Sequence, residues 1–212
     1  MYPSIIQKLI DLFSKFPTVG PRTASRFVFY LIKLPKQEFD NLAESMKKLR
    51  ESVKTCTFCF NPFEASETES DLCPICINPS RDRALLCVVE KETDLISIEK
   101  TKKYKGIYFI LGDAISTLKK DGEKKIRIQE LIERIENPGK FGLNNIIFKE
   151  IIIATNPTTE GEATALLLKR KLKDLQLETK PKITRLGRGL PSGAELEYAD
   201  DETLESAFEG RK

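Results

Sequence analysis

Apolar residues recur along the first sixteen positions at three- and four-residue steps. Ile5, Leu9, Leu12 and Phe16 fall on one face, which predicts an amphipathic helix over 4–16, capped by Ser4 and ended by Pro17. A short turn, Thr18-Val19-Gly20, leads to Pro21, a favourable first residue for a second helix. That helix is expected to run to about Leu34 with Ala24, Phe27, Val28, Leu31 and Ile32 on its apolar side. A third helix is expected over 36–54.

From Leu85 onward the period changes. Four short runs, at 85–89, 107–111, 151–155 and 182–186, read as strands, the first with the apolar character typical of a buried parallel strand. Helical patterns fall between them at 94–100, 127–136 and 160–175. The alternation predicts βαβ organisation and a mainly parallel sheet covered on both faces. Gly and Pro cluster at 187–193 as a loop, and a short acidic helix is expected at 201–208.

Charge is unevenly distributed. Residues 1–54 hold ten Lys/Arg against five Asp/Glu, and a second basic stretch runs from Lys169 to Arg188, whereas the chain turns acidic after Glu195. The pattern suits an anionic partner or a set of solvated helix faces. No apolar run approaches the length of a membrane span, and the N-terminus lacks a basic-then-apolar leader, so the expected compartment is the cytoplasm. The chain contains no histidine. That removes Ser-His-Asp and Cys-His nucleophilic systems and any imidazole-ligated zinc site, leaving carboxylates, Lys, Tyr and Cys for acid–base work.

The strongest chemical signal is Cys56-x2-Cys59, thirteen intervening residues, then Cys73-x2-Cys76. Two such knuckles supply four thiolates that close tetrahedrally around one Zn2+. Four protein ligands leave no open position for water, so the expected zinc is structural. Cys87 lies within an apolar strand and reads as a core residue.

Two further segments carry chemistry. The Pro17-Thr18-Val19-Gly20-Pro21 link, followed by Arg22 and Arg26 one turn apart, resembles a helix–hairpin–helix DNA-binding element. In such an element the tight turn at Gly20 and the positive end of the second helix face a phosphate, and Arg22 and Arg26 add ionic contacts that do not read sequence. Ala154-Thr155-Asn156-Pro157-Thr158-Thr159-Glu160-Gly161-Glu162-Ala163 follows a strand and opens a helix, and looks like the Toprim motif of type IA topoisomerases. Aspartates of that motif are replaced here by Asn156 and Thr158, while Glu90 stands in the place of its first acid, and Glu160 and Glu162 remain. Mg2+ wants hard anionic oxygens, so a site short of both aspartates is suited to binding rather than to phosphoryl transfer.

Taken in order, the hairpin, the four cysteines, Val88-Val89-Glu90, the Asn-Pro-Thr segment and Arg188-Gly189-Leu190-Pro191-Ser192-Gly193-Ala194-Glu195-Leu196-Glu197-Tyr198-Ala199-Asp200 resemble the RecR family of bacterial recombination mediators over essentially the whole chain. The resemblance implies an α+β multidomain fold. Residues 1–54 would form a helix–hairpin–helix domain, 55–79 a four-cysteine zinc finger, 80–176 a Toprim domain and 177–212 a C-terminal extension. It also implies a cytoplasmic, nucleoid-associated protein without enzymatic activity. Such a protein binds gapped, single- or double-stranded DNA and acts with RecO, and with RecF where present, to help load RecA. Family members self-assemble into dimers and tetrameric rings through their terminal regions.

By position, Arg22 and Arg26 become DNA contacts, and the acidic face around Glu160, with Glu90 and Glu162, a RecO-facing surface. Three departures stand out: Thr18 in place of the usual hairpin glycine, Leu111-Gly112-Asp113-Ala114-Ile115-Ser116-Thr117 in place of a Gly-Gly-x-x-Ser-Pro segment, and Ser192 and Ala194 near the end. The lysine-rich stretch at 119–125 admits two readings, a DNA-facing addition or a solvated segment. Two other functions compete with the mediator reading: a Mg2+-dependent Toprim nuclease or topoisomerase-like enzyme using Glu90, Glu160 and Glu162, and a protein-interaction scaffold that does not bind DNA.

Overall fold

The computed structural model describes residues 2–114, 126–187, 189–190, 193 and 195–210. The lysine-rich stretch at 119–125, residues 115–117, Arg188, Ser192 and Ala194 lie outside the described residues. The chain divides into two compact units, Met1–Val53 and Lys54–Lys212.

The first unit contains α1 (Ser4–Phe13), α2 (Pro21–Lys33) and α3 (Lys36–Ser52). Its small core is Ile10, Ala24 and Val28, with Ile6, Leu9, Phe13 and Val19 packed around it. Three details differ from the sequence-based expectation for α1. Pro3, not Ser4, is the N-cap: its carbonyl accepts from Gln7 N at 3.1 Å, no side chain caps the helix, and Ser4 is already helical. The helix ends at Phe13, four residues before Pro17: Ser14 N still makes the helical bond to Ile10 O at 2.9 Å, but Lys15 N and Phe16 N tighten to Leu12 O and Phe13 O, at 3.2 and 3.0 Å, as a turn.

The buried face is 6-9-10-13, rotated from the expected 5-9-12-16, leaving Ile5 63% exposed. Both stripes satisfy helical spacing, and packing against Ala24 and Val28 selects between them. On α2, Ala24 and Val28 are buried as expected and Leu31 partly so, whereas Phe27 and Ile32 stay exposed, Phe27 edge-on to Phe13. Helix α3 buries no residue, and its Phe39, Leu42 and Met46 line an apolar cleft with Phe16, Phe27 and Tyr30.

The second unit is built on a four-stranded parallel sheet in the order β4-β3-β5-β6, where β3 is Asp82–Val89, β4 Gly106–Ile110, β5 Glu150–Ala154 and β6 Lys182–Arg185. The pairings align Leu86 with Ile107 and Ile151, and Val88 with Phe109 and Ile153. Because side chains alternate across a strand, these rows form one face of the sheet. They share a core with α6 (Ile128–Glu136) and α7 (Thr159–Lys173) through Leu131, Ile135, Ala165 and Leu168. The alternate row, Cys87, Val89, Tyr108, Ile110 and Ala154, packs with Leu95 of α5 (Glu92–Lys100). A buried-side clamp helps to seat α5: Arg81 pairs with Glu99, and the Tyr108 hydroxyl donates to Glu99 Oε1 at 2.6 Å. The Arg81 guanidinium holds the Glu99 carboxyl below its ordinary range.

The cysteine segment contributes a two-stranded ribbon, β1 (Val53–Thr55) with β2 (Pro62–Glu64), and the single turn α4 (Pro74–Ile77). Phe58, Phe63 and Leu72 of this segment are buried in the same core as Leu86, Val88 and Phe109. The C-terminal part ends with α8 (Asp201–Glu209), N-capped by Asp200, whose carboxylate accepts from Thr203 N at 2.8 Å.

Thr18 adopts φ 62°, left-handed backbone that disfavours a β-branched side chain. Thr18→Gly is therefore expected to raise the unfolding free energy of the protein by about 1 kcal/mol, read from urea denaturation midpoints.

Candidate metal centre and nucleic-acid interface

The four sulfurs expected to act together are brought together. The Sγ atoms of Cys56, Cys59, Cys73 and Cys76 all lie within 4.8 Å of one another, and all four side chains are buried and free of disulfides. Among the described residues they are the only group of three or more such ligand side chains so placed. The backbone folds to make this possible. Phe60, directly after Cys59, takes a left-handed φ of 65°, turning the first knuckle so that Phe60 N donates to Cys56 O at 3.0 Å. Amides then point at sulfur: Asn61 N to Cys59 Sγ at 3.4 Å and Cys73 N to Cys56 Sγ at 3.3 Å. Amide-to-sulfur bonds favour the thiolate form that a metal requires.

The four thiols compete with one another for protons. Hydrogen bonds from Cys59, then Cys73 and Cys76, hold Cys56 far below the ordinary thiol range, while Cys76 is pushed above it by its bond to Cys56 and, further down, by burial. Four buried thiols in hydrogen-bond reach fit a soft divalent cation and leave no open coordination position. Cys87 is a different case: burial alone pushes its thiol up to about 12. It lies in the core beside Val89 and Tyr108, as expected of a strand cysteine.

At the C-terminal end of β3, Glu90 is 4% exposed and fully engaged. Its Oε1 accepts from Asn156 N at 2.8 Å and its Oε2 from Asn156 Nδ2 at 2.6 Å. The amide thus supplies the positive partner that a buried carboxylate needs, without a cation. Gly161 is required by this arrangement, since a Cβ there would come 2.1 Å from Asn156 O and 2.8 Å from Glu90 Oε1. Thr158 is also occupied, its hydroxyl capping α7 by accepting from Gly161 N at 3.1 Å.

Glu162 is bound by both arms of Arg185, at 2.6 and 2.7 Å, and Glu160 is partly exposed at the start of α7. Glu90, Glu160 and Glu162 therefore do not converge as a three-acid ligand set.

In the hairpin, Gly20 is the N-cap of α2 with φ −85° and ψ 170°, and open space surrounds the position of a Cβ. The strain of the turn sits at Thr18 and not at Gly20. Ala24 N makes the first helical bond, to Gly20 O at 2.9 Å, so the amides of Arg22 and Thr23 have no partner within the helix. Arg22 and Arg26 are both exposed and make no ion pair among the described residues.

Sequence reasoning missed Arg134. It is buried, with its guanidinium bonded to the carbonyls of Thr57 and Phe58, the residues between Cys56 and Cys59. A signal was present: the cation falls on the apolar stripe marked by Leu131 and Ile135.

A parallel sheet with a Glu-and-Asn pair at its switch point, a four-cysteine knuckle and a helical hairpin define a Toprim-domain protein with a metal-competent site. The Toprim domain model matches residues 84–186, the model described as RecR, helix-hairpin-helix, residues 6–50, and that described as RecR, C-terminal, residues 189–212. A Recombination protein RecR of Clostridium perfringens is 40% identical over 210 residues, covering 99% of this chain and 97% of the relative. A Recombination protein RecR of Desulfitobacterium hafniense is 42% identical over 211 residues, covering 100% of this chain and 96% of the relative. The chain belongs to the RecR family.

Two outcomes follow from this geometry. Asn156→Asp places a second carboxylate against buried Glu90 and removes its donor. The expected loss is about 2 kcal/mol of stability at neutral pH, read from urea denaturation midpoints. With metal bound, a disulfide reagent should find no reactive thiol in the folded protein. A chelator should expose the four knuckle cysteines, and Cys87 should react only once denaturant is added.

Proposed function

We propose that this protein is a non-catalytic DNA-binding mediator of recombinational repair. It would act with RecO, and with RecF where present, to help load RecA onto gapped or single-stranded DNA. The observation that carries the reading is the hairpin: two exposed arginines one turn apart, beside unpaired amides at the N-terminus of α2 and an unobstructed Gly20. Such a surface grips phosphates without reading bases. Membership of a family whose relatives carry the name recombination protein supports the biological setting.

The four cysteines are assigned to one structural Zn2+, the ion that four buried thiolates fit. When bound, it holds the two knuckles together and supplies no chemistry to a substrate. The occupied state of Glu90 supports the assignment as a non-enzyme, because Asn156 takes both carboxylate oxygens that a Toprim enzyme would turn toward Mg2+. We assign 1–54 to DNA contact, 55–79 to the metal, 80–176 to the Toprim scaffold and 177–212 to an extension. The partly exposed Glu160 belongs to the acidic face for RecO. The apolar cleft in the first unit supports self-association there. No helix among the described residues is long and apolar enough to cross a membrane, which accords with the cytoplasmic, nucleoid-associated setting expected for this role.

The test is binding of the zinc-loaded protein to labelled gapped DNA across a salt series, beside Arg22→Ala/Arg26→Ala. The variant should bind more weakly, with a log–log salt slope shallower by roughly one to two. Equal binding by both proteins would remove the hairpin as the contact. Absence of binding at low salt would favour the scaffold that recognises DNA only through a partner.

A further inference from the structure

Helix α6 carries a cation where its apolar stripe should continue. Leu131 and Ile135 are buried, and Arg134, on the same side, is 5% exposed. Its guanidinium is tied to backbone. Nε donates to Phe58 O at 2.7 Å and to Thr57 O at 3.2 Å, Nη2 to Thr57 O at 2.8 Å, and Nη1 to Glu130 O at 3.0 Å. Rings complete the enclosure: the guanidinium carbon lies 3.9 Å from the Phe141 centroid and 4.4 Å from that of Phe60. Arg127 also lies 4.4 Å from the Phe60 centroid. Meanwhile the next knuckle carbonyl, Cys59 O, accepts from Ile110 N of β4 at 3.0 Å. Three successive carbonyls of the first knuckle are thus fixed by α6 and by the sheet.

These contacts satisfy the donors of Arg134 but not its charge. Among the described residues it makes no ion pair. The acidic residues of its own helix, Glu130 and Glu133, form no ion pair with it, and Arg127, which shares the Phe60 ring, adds like charge nearby. A buried cation whose direct contacts are neutral carbonyls and rings is costly, and such groups are normally paired. The counter-charge on hand in this core is the cysteine cluster, since a divalent cation among four thiolates remains net negative.

We propose that Arg134 is the counter-ion and positioning residue of the metal–thiolate cluster. Its charge offsets the excess negative charge of the loaded site, and its fork holds the Cys56–Cys59 knuckle in the ligating shape. The inference rests on reading the four cysteines as a metal site. It makes metal retention and the seating of α6 a single coupled state: loss of the metal strands the cation, and loss of the cation leaves the thiolates uncompensated.

The test uses the full-length zinc-loaded protein. Metal content is measured first, then the rate of zinc transfer to excess 4-(2-pyridylazo)resorcinol, for wild type, Arg134→Met, Arg134→Lys and Leu131→Ala. Arg134→Met should release zinc roughly 10- to 100-fold faster. Arg134→Lys, which keeps the charge and loses the fork, should fall between it and wild type. Leu131→Ala weakens the same helix without altering charge and should accelerate release less than Arg134→Met.

Cobalt substitution supplies a readout that simple destabilisation does not move. Removing a positive charge near sulfur makes electron transfer from thiolate to metal easier, so Arg134→Met should shift the thiolate-to-cobalt band to longer wavelength, while Leu131→Ala leaves it in place. Zinc release from Arg134→Met at the wild-type rate, or a Leu131→Ala variant that reproduces both effects, overturns the proposal. If Arg134→Met does not fold, Arg134→Lys decides alone: faster release with an unshifted band supports the fork, and wild-type release rejects it. A wild type that holds no stoichiometric metal overturns the metal-site reading itself and this proposal with it. That outcome is distinct from loaded wild type with equally retentive variants, which overturns only the role of Arg134.

Discussion

Four sulfur atoms shielded from solvent must share protons or share a cation, and the second unit is arranged around that requirement. Cys56, Cys59, Cys73 and Cys76 belong to the same buried cluster as Leu86, Val88, Phe109 and Ile151, the inward row of the central strands. Phe58 and Leu72, carried by the cysteine segment, help to cover that row, and Phe58 meets Phe148 with centroids 6.3 Å apart. The segment has only two three-residue strands and a single helical turn of its own. With so little regular structure of its own, the segment is held by its buried side chains Phe58, Phe63 and Leu72, by the bonds from Arg134 and Ile110 N to its carbonyls, and by the sulfur cluster itself. Metal binding in such a segment is folding free energy.

At the other chemically marked place the same demand, a partner for a buried charge, is met by an amide. Strand β3 lies between β4 and β5, and the chain runs from it to opposite sides, which makes the carboxyl ends of β3 and β5 a switch point of the kind where open α/β sheets bind ligands. Glu90 and Asn156 occupy that point and satisfy each other. An aspartate at 156 would repel Glu90 unless a cation lay between them, and asparagine removes both the repulsion and the need. Gly161 permits the close approach, and Thr158 turns its hydroxyl to capping α7. Both replaced positions therefore perform structural work that aspartates bound to a metal would not perform in this way.

These features were unequally visible in the sequence. Strands β3, β4 and β5 were legible because a buried parallel strand is apolar for most of its length, and the knuckles because two CxxC pairs at this spacing have few other uses; the short β1 and β2 were not, since three residues carry no period. The buried face of α1 was not, since 5-9-12-16 and 6-9-10-13 both satisfy helical periodicity and only packing against Ala24 and Val28 decides. The N-cap was misplaced for a related reason: Ser4 has the right chemistry, but the helix begins one residue earlier on the carbonyl of Pro3. Glu90 and Asn156 were each singled out as chemistry, yet their bond spans 66 positions and no local pattern encodes it. Arg134 was legible only as an anomaly, a charge on an apolar stripe whose reason lies 76 positions upstream at Phe58.

The hairpin combines features that do not favour stability with features that favour contact. A β-branched residue at φ 62° is strained, and Gly20 has no steric need to be glycine, since its backbone is extended and its surroundings are empty. Residues at such positions are explained by what approaches them. A side chain at 20 would stand in front of the first amides of α2, and a carboxylate at 22 or 26 would cancel the helix's positive end. With glycine there and two arginines that make no ion pair among the described residues, the surface offers fixed dipoles and mobile charges to a polyanion. Contact of that kind is strong at low salt and indifferent to base sequence. A surface of this make would hold a polyanion by its phosphates and leave its bases unread.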